Sequence, residues 1–191
     1  MKKLIILLLM VMVTVTSIAG AADFRDVNWG MSRDEVISRE GRPSYNQGNM
    51  VAYEVELFDT KFALGFMFYE DILTNAQYML LDDPKGTEYK QLIEDLNEGL
   101  TKKYGEPDGR GIVWLDDYYK HKPSKFHIAV KSGEVIAQYE YEGDTTEVLL
   151  GVMGQGYEDQ FFVMYEPKNP KYKRMIEQRE KEKKGKSESQ L

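Results

Sequence analysis

The two histidines, His121 and His127, are the first candidates for acid-base or metal chemistry. His121 lies in a polar loop, and His127 is predicted to point to solvent from a strand. They lack the spacing of a helical metal site, and the chain has no cysteine to complete a zinc or iron–sulfur site. The sequence therefore predicts no catalytic residue, no metal site and no cofactor.

Two pairs of adjacent acids could bind a hard cation. They are Asp82-Asp83 and Asp116-Asp117, and neither pair follows the alternating oxygen-ligand pattern of a calcium loop. We interpret them as solvated turns and strand ends. A hydrolase or small-ligand site that uses Asp116, Asp117 and Glu134 remains the alternative.

The segment from Gly151 to Gly156 is the part of the chain most similar to a phosphate-binding loop. It lacks the terminal Lys-Ser/Thr and precedes a predicted strand, whereas a phosphate loop precedes a helix. A hairpin is the better interpretation.

Thirteen tyrosines form the remaining chemical feature. Most lie in or beside predicted strands, where the ring packs and the hydroxyl stays at the edge. A subset on an exposed sheet would suit a protein partner, because tyrosine is enriched at binding hot spots. The candidate partner-binding residues are Tyr118, Tyr119, Tyr139, Tyr141 and Tyr157.

The charge balance limits the partners. The 191 residues include 32 acidic and 25 basic side chains, which give a net charge of −7. Such a chain has no overall attraction for nucleic acid or for an anionic membrane. The 42% of hydrophobic residues is typical of a folded domain rather than a disordered chain.

The N-terminus has the layout of a secretory signal peptide. Two lysines precede an apolar run from Leu4 to Val13, and the small residues of Ala19-Gly20-Ala21 suit a signal peptidase. We expect residues 1–21 to be removed, which predicts a periplasmic or secreted bacterial protein without stable membrane insertion. A retained membrane anchor is the alternative.

A helix followed by strands opens the predicted folded part. Ser32 and Glu35 form a capping box, so the helix is expected to begin at Arg33 and to end near Glu40, before Gly41. Two-residue alternation then predicts strands within residues 51–57, 61–69 and 72–81.

The same order begins again with a second helix. Thr87 is the expected N-cap, and Gly105-Glu106-Pro107 ends the helix as Gly41-Arg42-Pro43 ends the first. Further strands are predicted within residues 111–116, 125–131, 134–142, 147–153 and 161–165.

The expected fold is therefore α+β, with two tandem helix-then-antiparallel-meander units whose helices pack on one side of the sheet or sheets. Residues 22–84 form the first unit and residues 85–166 the second. Residues 167–191 are a charged tail that is expected to be partly helical or disordered.

The segment Trp29-Gly30-Met31-Ser32-Arg33-Asp34-Glu35-Val36, followed by Gly41-Arg42-Pro43, resembles the small exported modules of the SmpA/OmlA type. The tandem arrangement is similar to that of the β-lactamase-inhibitor proteins. These resemblances imply a non-catalytic protein-binding or envelope-assembly module, whose partner is another envelope or secreted protein. The assembly lipoprotein of this type is anchored through a cysteine, which this chain lacks. Inhibition of a secreted enzyme is a further alternative.

Overall fold

The computed structural model describes residues 22–156 and 158–188. The expected signal peptide and Tyr157 lie outside these ranges. Within them, no helix is long and apolar enough to cross a membrane. The elements in chain order are α1 (Arg33–Glu40), β1 (Tyr45–Gln47), β2 (Met50–Leu57), β3 (Thr60–Tyr69), β4 (Ile72–Leu80), α2 (Thr87–Tyr104), β5 (Asp108–Trp114), a 3₁₀ turn (Pro123–Lys125), α3 (Phe126–Lys131), β6 (Val135–Glu142), β7 (Thr146–Gln155), β8 (Glu158–Pro167) and α4 (Pro170–Glu188).

The strands of the described residues form one antiparallel sheet, in the order β1-β2-β3-β4-β8-β7-β6-β5. The first four strands thus occupy one half of the sheet and the last four occupy the other. The halves meet where β4 pairs with β8, from Ala76 opposite Tyr165 to Met79 opposite Phe162. The α+β class predicted from the sequence is confirmed.

The predicted limits of the first helix are also confirmed. Ser32 and Glu35 form the capping box, in which the Ser32 backbone N–H donates to Glu35 Oε2 at 2.8 Å. The helix ends at Glu40 because Gly41, at φ 90°, adopts a conformation that side chains disfavour. Its N–H still donates to the Ile37 carbonyl at 2.9 Å.

The second helix begins differently from the prediction. Thr87 is its first helical residue rather than its N-cap, and Gly86 occupies the cap position without a side-chain hydrogen bond. The Gly86 backbone N–H instead donates to Nδ1 of His127 at 2.8 Å. Gly105 ends α2 at φ 91°, as predicted. The helix buries a stripe that consists of Tyr89, Leu92, Ile93, Leu96 and Leu100.

The strand predicted for residues 125–131 is wrong, because this segment folds as the end of the 3₁₀ turn and α3. Its buried residues are Phe126, Ala129 and Val130, which share a helical face. The two-residue alternation of Phe126, Ile128 and Val130 suggested a strand, but so short an apolar run satisfies either period. Pro123 at the first position of the preceding turn favours the helical backbone.

One hydrophobic core runs through both halves of the sheet. Phe24 packs on Tyr165 of the second half, with ring centroids 4.4 Å apart. Phe62 and Phe161 pack edge to face at 6.2 Å across the same boundary. Residues from α1, α2 and α3 belong to this core. The boundary between the halves is therefore as apolar as the halves themselves.

Candidate partner-binding surface

The sheet has two faces, because successive side chains of a strand point to opposite sides. On β3, Phe62, Leu64 and Phe66 are fully buried in the core beneath the first three helices. The residues between them face the other side. We call that side of the sheet the open face.

The open face carries apolar side chains next to polar ones such as Gln77, Gln138 and Gln160, whereas the outer face of a solvated antiparallel sheet is mostly polar. Met153 is 46% exposed, and the other apolar side chains are half-buried. The apolar side chains of the open face are Met50, Met67, Met79, Ile136, Leu149, Met153, Phe162 and Met164. An exposed apolar area is a feature of protein-binding surfaces.

Two glycines lie beside these side chains. A Cβ on Gly65 would lie 3.5 Å from Sδ of Met50 and 3.8 Å from Cε of Met79. A Cβ on Gly151 would overlap the ring of Phe162, which therefore lies flat over the backbone of the neighbouring strand. Gly151 thus makes room for Phe162, whereas a Cβ on Gly65 would make only ordinary van der Waals contacts. An apolar area that extends over several strands suits a macromolecular partner better than a small molecule.

α4 covers one end of the open face. The Tyr69 hydroxyl donates to Glu182 Oε1 at 3.0 Å, and Lys173 Nζ lies 2.7 Å from Glu147 Oε1. Both Tyr69 and Glu147 alternate with core residues of their strands, so α4 lies on the side opposite the other helices. Arg179 is the most buried residue of α4 at 7% exposure.

Carboxylates line the boundary between α4 and the uncovered area. A hollow of about 350 Å³ has Leu149 and Met164 among its lining residues, together with the acids Glu140, Glu142, Glu147 and Glu166. Burial raises the pKa of the Glu166 carboxyl, and the negative charge of Glu147 raises it further. The positive charges of Lys173 and Arg179 offset only part of this effect. The hollow is therefore a region of negative potential beside the apolar area.

Two of the predicted partner-binding tyrosines lie together outside the open face. Tyr118 is 65% exposed in the loop after β5, and its ring packs edge to face on Tyr119 at 4.7 Å. Lys122 Nζ lies 4.0 Å from the Tyr118 ring centre. These residues form a small aromatic patch of their own.

The other predicted tyrosines do not join that patch. Tyr139 is half-buried and packs on the core. Tyr141 is 2% exposed, and its hydroxyl donates to Asn97 Oδ1 of α2 at 2.7 Å, so it is a core residue that a partner cannot reach. Their even spacing on β6 correctly placed them on one face, but that face is the one beneath the helices. Tyr157 lies outside the described residues.

His127 lies on α3 and does not project from a strand as predicted. Its Nδ1 accepts the Gly86 N–H, which requires that nitrogen to be unprotonated. Burial lowers the pKa of this imidazole, and the nearby Lys131 lowers it further. His127 thus joins α3 to the start of α2, while His121 is exposed in the loop before the 3₁₀ turn.

A polar network around the buried Tyr89 lies next to His127, and its outer member Asp83 is exposed. The Tyr89 hydroxyl donates to Asp159 Oδ2, and Lys131 Nζ lies 3.8 Å from Asp159 Oδ1 and 2.7 Å from Asp83 Oδ1. Burial and the Asp159 charge raise the pKa of Tyr89 far above its usual range. The network connects α2, α3 and β8, and holds the hydroxyl in its protonated form.

Of the predicted acidic pairs, Asp116-Asp117 makes local contacts, whereas Asp82 and Asp83 contact the distant Lys61 and Lys131. Asp116 Oδ1 accepts the Tyr118 N–H at 2.8 Å, and Asp117 Oδ1 lies 2.9 Å from Lys120 Nζ. The backbone carbonyl of Glu134 accepts the Asp116 N–H at 3.2 Å, so the backbones of these two acids lie side by side in the fold. Asp82 and Asp83 line an open groove of about 770 Å³ at the start of α2.

In the described part of the chain, no group of three or more histidine or acidic side chains could hold a metal ion. The segment from Gly151 to Gly156 runs along β7 into the turn before β8, as the hairpin interpretation predicted. Gly154 is required there because a Cβ would overlap the carbonyl oxygen of Val130.

Sequence reasoning did not identify the open face. The sequence signal for this face lies at the strand positions between the core residues. On β3 these positions include Ala63, Gly65 and Met67, which are apolar or small rather than charged. Comparisons of the chain with protein families, with curated proteins and with solved structures give no match.

Proposed function

We propose that this chain is a non-catalytic protein-binding module, exported to the periplasm or beyond, that docks a partner on the open face. The apolar area between Met79 and Met153 supports this proposal most directly. In water such an area has a free-energy cost that a partner of matching shape would remove. Methionine suits a docking surface because its flexible, polarizable side chain adapts to the opposing residues.

We further propose that the fold consists of two tandem units, α1 with β1–β4 and α2 with β5–β8. The sheet order supports this, since the four strands of each unit are neighbours in the sheet. The units join where β4, the last strand of the first, pairs with β8, the last strand of the second. Gly41 and Gly105 end the two helices at nearly the same φ, 90° and 91°. Such an arrangement is what the resemblance to SmpA/OmlA-type modules and β-lactamase-inhibitor proteins implies.

A photo-cross-linking amino acid at position 153 tests the binding proposal. In the native cells, this position should yield a discrete cross-linked product, and a matched position on α2, Glu98, should not. Ile136→Asp should remove the product, because it places a charge on the apolar area.

Circular dichroism should show that the Ile136→Asp variant remains folded. The proposal fails if positions 153 and 98 give the same products, or if a folded Ile136→Asp variant cross-links as well as the parent.

A further inference from the structure

The part of the open face next to α4 has room for one helix. α4 crosses the sheet over the end that includes Glu147 and Glu166, which are paired across β7 and β8. The rows of side chains two and four residues farther along these strands lie about 7 Å and 14 Å away. Helices pack side by side at about 8–10 Å. A second helix beside α4 would therefore lie between these two rows.

Four side chains at that position are apolar, while Gln77 ends the nearer row beside Met164 and Gln138 ends the farther row beside Gly151. Cross-strand pairing places Met164 opposite Leu149 in the nearer row, and Met79 opposite Phe162 in the farther row. Gly151 lies beside Phe162 in the farther row, so the ring can lie flat and leave space above it. The two rows form a shallow trough into which the apolar ridge of a helix fits.

The edges of the sheet are less suited to adding a strand. β1 has only three residues. β5 has seven, but its register with β6 shifts between Gly109 and Gly111. Short and bulged edges disfavour pairing with another chain. A helix on the face is therefore favoured over a strand at the edge.

The carboxylates beside the trough indicate which charges a docked helix would carry. Glu140 is exposed and accepts a hydrogen bond from Gln138 at 2.6 Å, and it has no basic partner among the residues that the structure describes. Glu142 and Glu147 are each paired with one lysine, Lys168 at 3.1 Å and Lys173 at 2.7 Å. The four carboxylates of the hollow thus exceed the lysines that contact them.

We infer that the partner docks one amphipathic helix beside α4, with its apolar ridge on Met79, Leu149, Phe162 and Met164 and with lysine or arginine over Glu140. This inference rests on the proposed function, because it specifies which partner structure the open face accepts. The long aliphatic part of a lysine or arginine would pack on Leu149, while its charge would lie among the carboxylates.

Synthetic peptides of 18 residues test the inference. The first has leucines on one helical face and lysines beside them, the second replaces every lysine with glutamate, and the third is a shuffled leucine–lysine sequence without a continuous apolar face. Binding to the purified protein, with its N-terminus as the cell leaves it, is measured by fluorescence anisotropy, and the helicity of the bound peptide by circular dichroism. We expect the first peptide to bind as a helix and the other two to bind at least about tenfold more weakly.

Matched variants locate the binding site. Met164→Ser and Glu140→Gln should each weaken binding of the first peptide by about fivefold or more. The control variants Leu115→Ser and Glu98→Gln change an exposed leucine and an exposed glutamate elsewhere, and should alter binding by less than about twofold. Their thermal unfolding verifies that all four variants fold.

Two results would overturn the inference. One is equal binding of the lysine and glutamate peptides. The other is equal weakening by the control and open-face variants, which would show nonspecific attraction to an acidic chain. If position 153 cross-links a partner while the helical peptides fail to bind, only the helix inference is wrong. If position 153 also yields no product, the proposed function is wrong as well.

Discussion

Tyr89 provides a test of the buried polar network. Its hydroxyl donates to Asp159, and its side chain is fully buried at the start of α2. Tyr89→Phe removes the hydroxyl and leaves the carboxylate with one fewer partner. We expect the free energy of unfolding to fall by about 1–3 kcal/mol, the usual range for a hydrogen bond to a buried charged group. Urea denaturation measures this change.

The exposed Tyr118 is the matched control for Tyr89. Tyr118→Phe should change the stability by less than about 0.5 kcal/mol. Equal effects of the two substitutions would show that the Tyr89 hydroxyl contributes no specific stabilisation.

Glu166 predicts a pH dependence of stability. Its pKa is raised by burial and by Glu147. A carboxyl that binds its proton more tightly in the folded state stabilises that state at low pH, and this contribution is lost as the pH rises through the raised folded pKa. Glu166→Gln cannot ionise. The stability of this variant relative to the parent should therefore increase as the pH is raised from about 4 to about 8.

Urea denaturation at several pH values measures the Glu166 effect, and Glu177→Gln on the exposed side of α4 serves as the control. A relative stability of Glu166→Gln that is constant, or that falls as the pH rises, would contradict the prediction.

At the level of elements, α4 shows how a charged segment can still pack. Its inward residues, Tyr172, Ile176 and Arg179, recur at three- and four-residue steps. Arg179 is buried although its Nη1 has no hydrogen-bond partner within the described structure, and the buried Asn75 Oδ1 also lacks one. A buried polar group without a partner has a free-energy cost, so these two groups offset part of the stabilisation that packing of α4 on the sheet provides.

Truncation of the chain after Asn169 should therefore lower the free energy of unfolding by only about 2 kcal/mol, which corresponds to about 4–8 °C in Tm. Differential scanning calorimetry measures this loss, and truncation after Gly185 is the control. No change in Tm would mean that α4 contributes nothing to stability, and loss of the whole transition would mean that it belongs to the core.

At the level of the whole molecule, the shared core predicts a single unfolding transition. The aromatic contacts between Phe24 and Tyr165 and between Phe62 and Phe161 cross the boundary between the halves. The two tryptophans report different regions: Trp114 lies on β5 of the second half, whereas Trp29 precedes α1 and contacts Thr146 of β7. In Trp29→Phe and in Trp114→Phe, fluorescence of the remaining tryptophan and far-UV circular dichroism should give the same urea midpoint.

Trp29→Phe will be less stable overall, because the Trp29 indole donates to Thr146 at 3.0 Å. The comparison is therefore made between the two probes within each variant. Different midpoints for fluorescence and circular dichroism would show that the halves unfold independently.

Local sequence signals determined most of the elements. The capping box at Ser32, the glycines at 41 and 105 and the two-residue alternation around Phe62–Phe68 act over a few residues, so they can be read without knowledge of the fold. The strand prediction for residues 126–131 failed because these six residues fit both the helical and the strand period. Only packing against α2 and the sheet selects the helix.

The sequence by itself determined the α+β class, the two helix limits at Glu40 and Tyr104 and the absence of cysteine chemistry. Only the tertiary structure decided which side of the sheet the helices cover. Alternation predicts that Tyr139 and Tyr141 point inward and that Gln138 and Glu140 point outward, and Tyr141 is indeed buried, but alternation cannot tell which helix covers which face of the sheet. The positions of the helices depend on contacts between distant parts of the chain. The candidate binding surface is therefore the methionine-rich open face rather than the tyrosines.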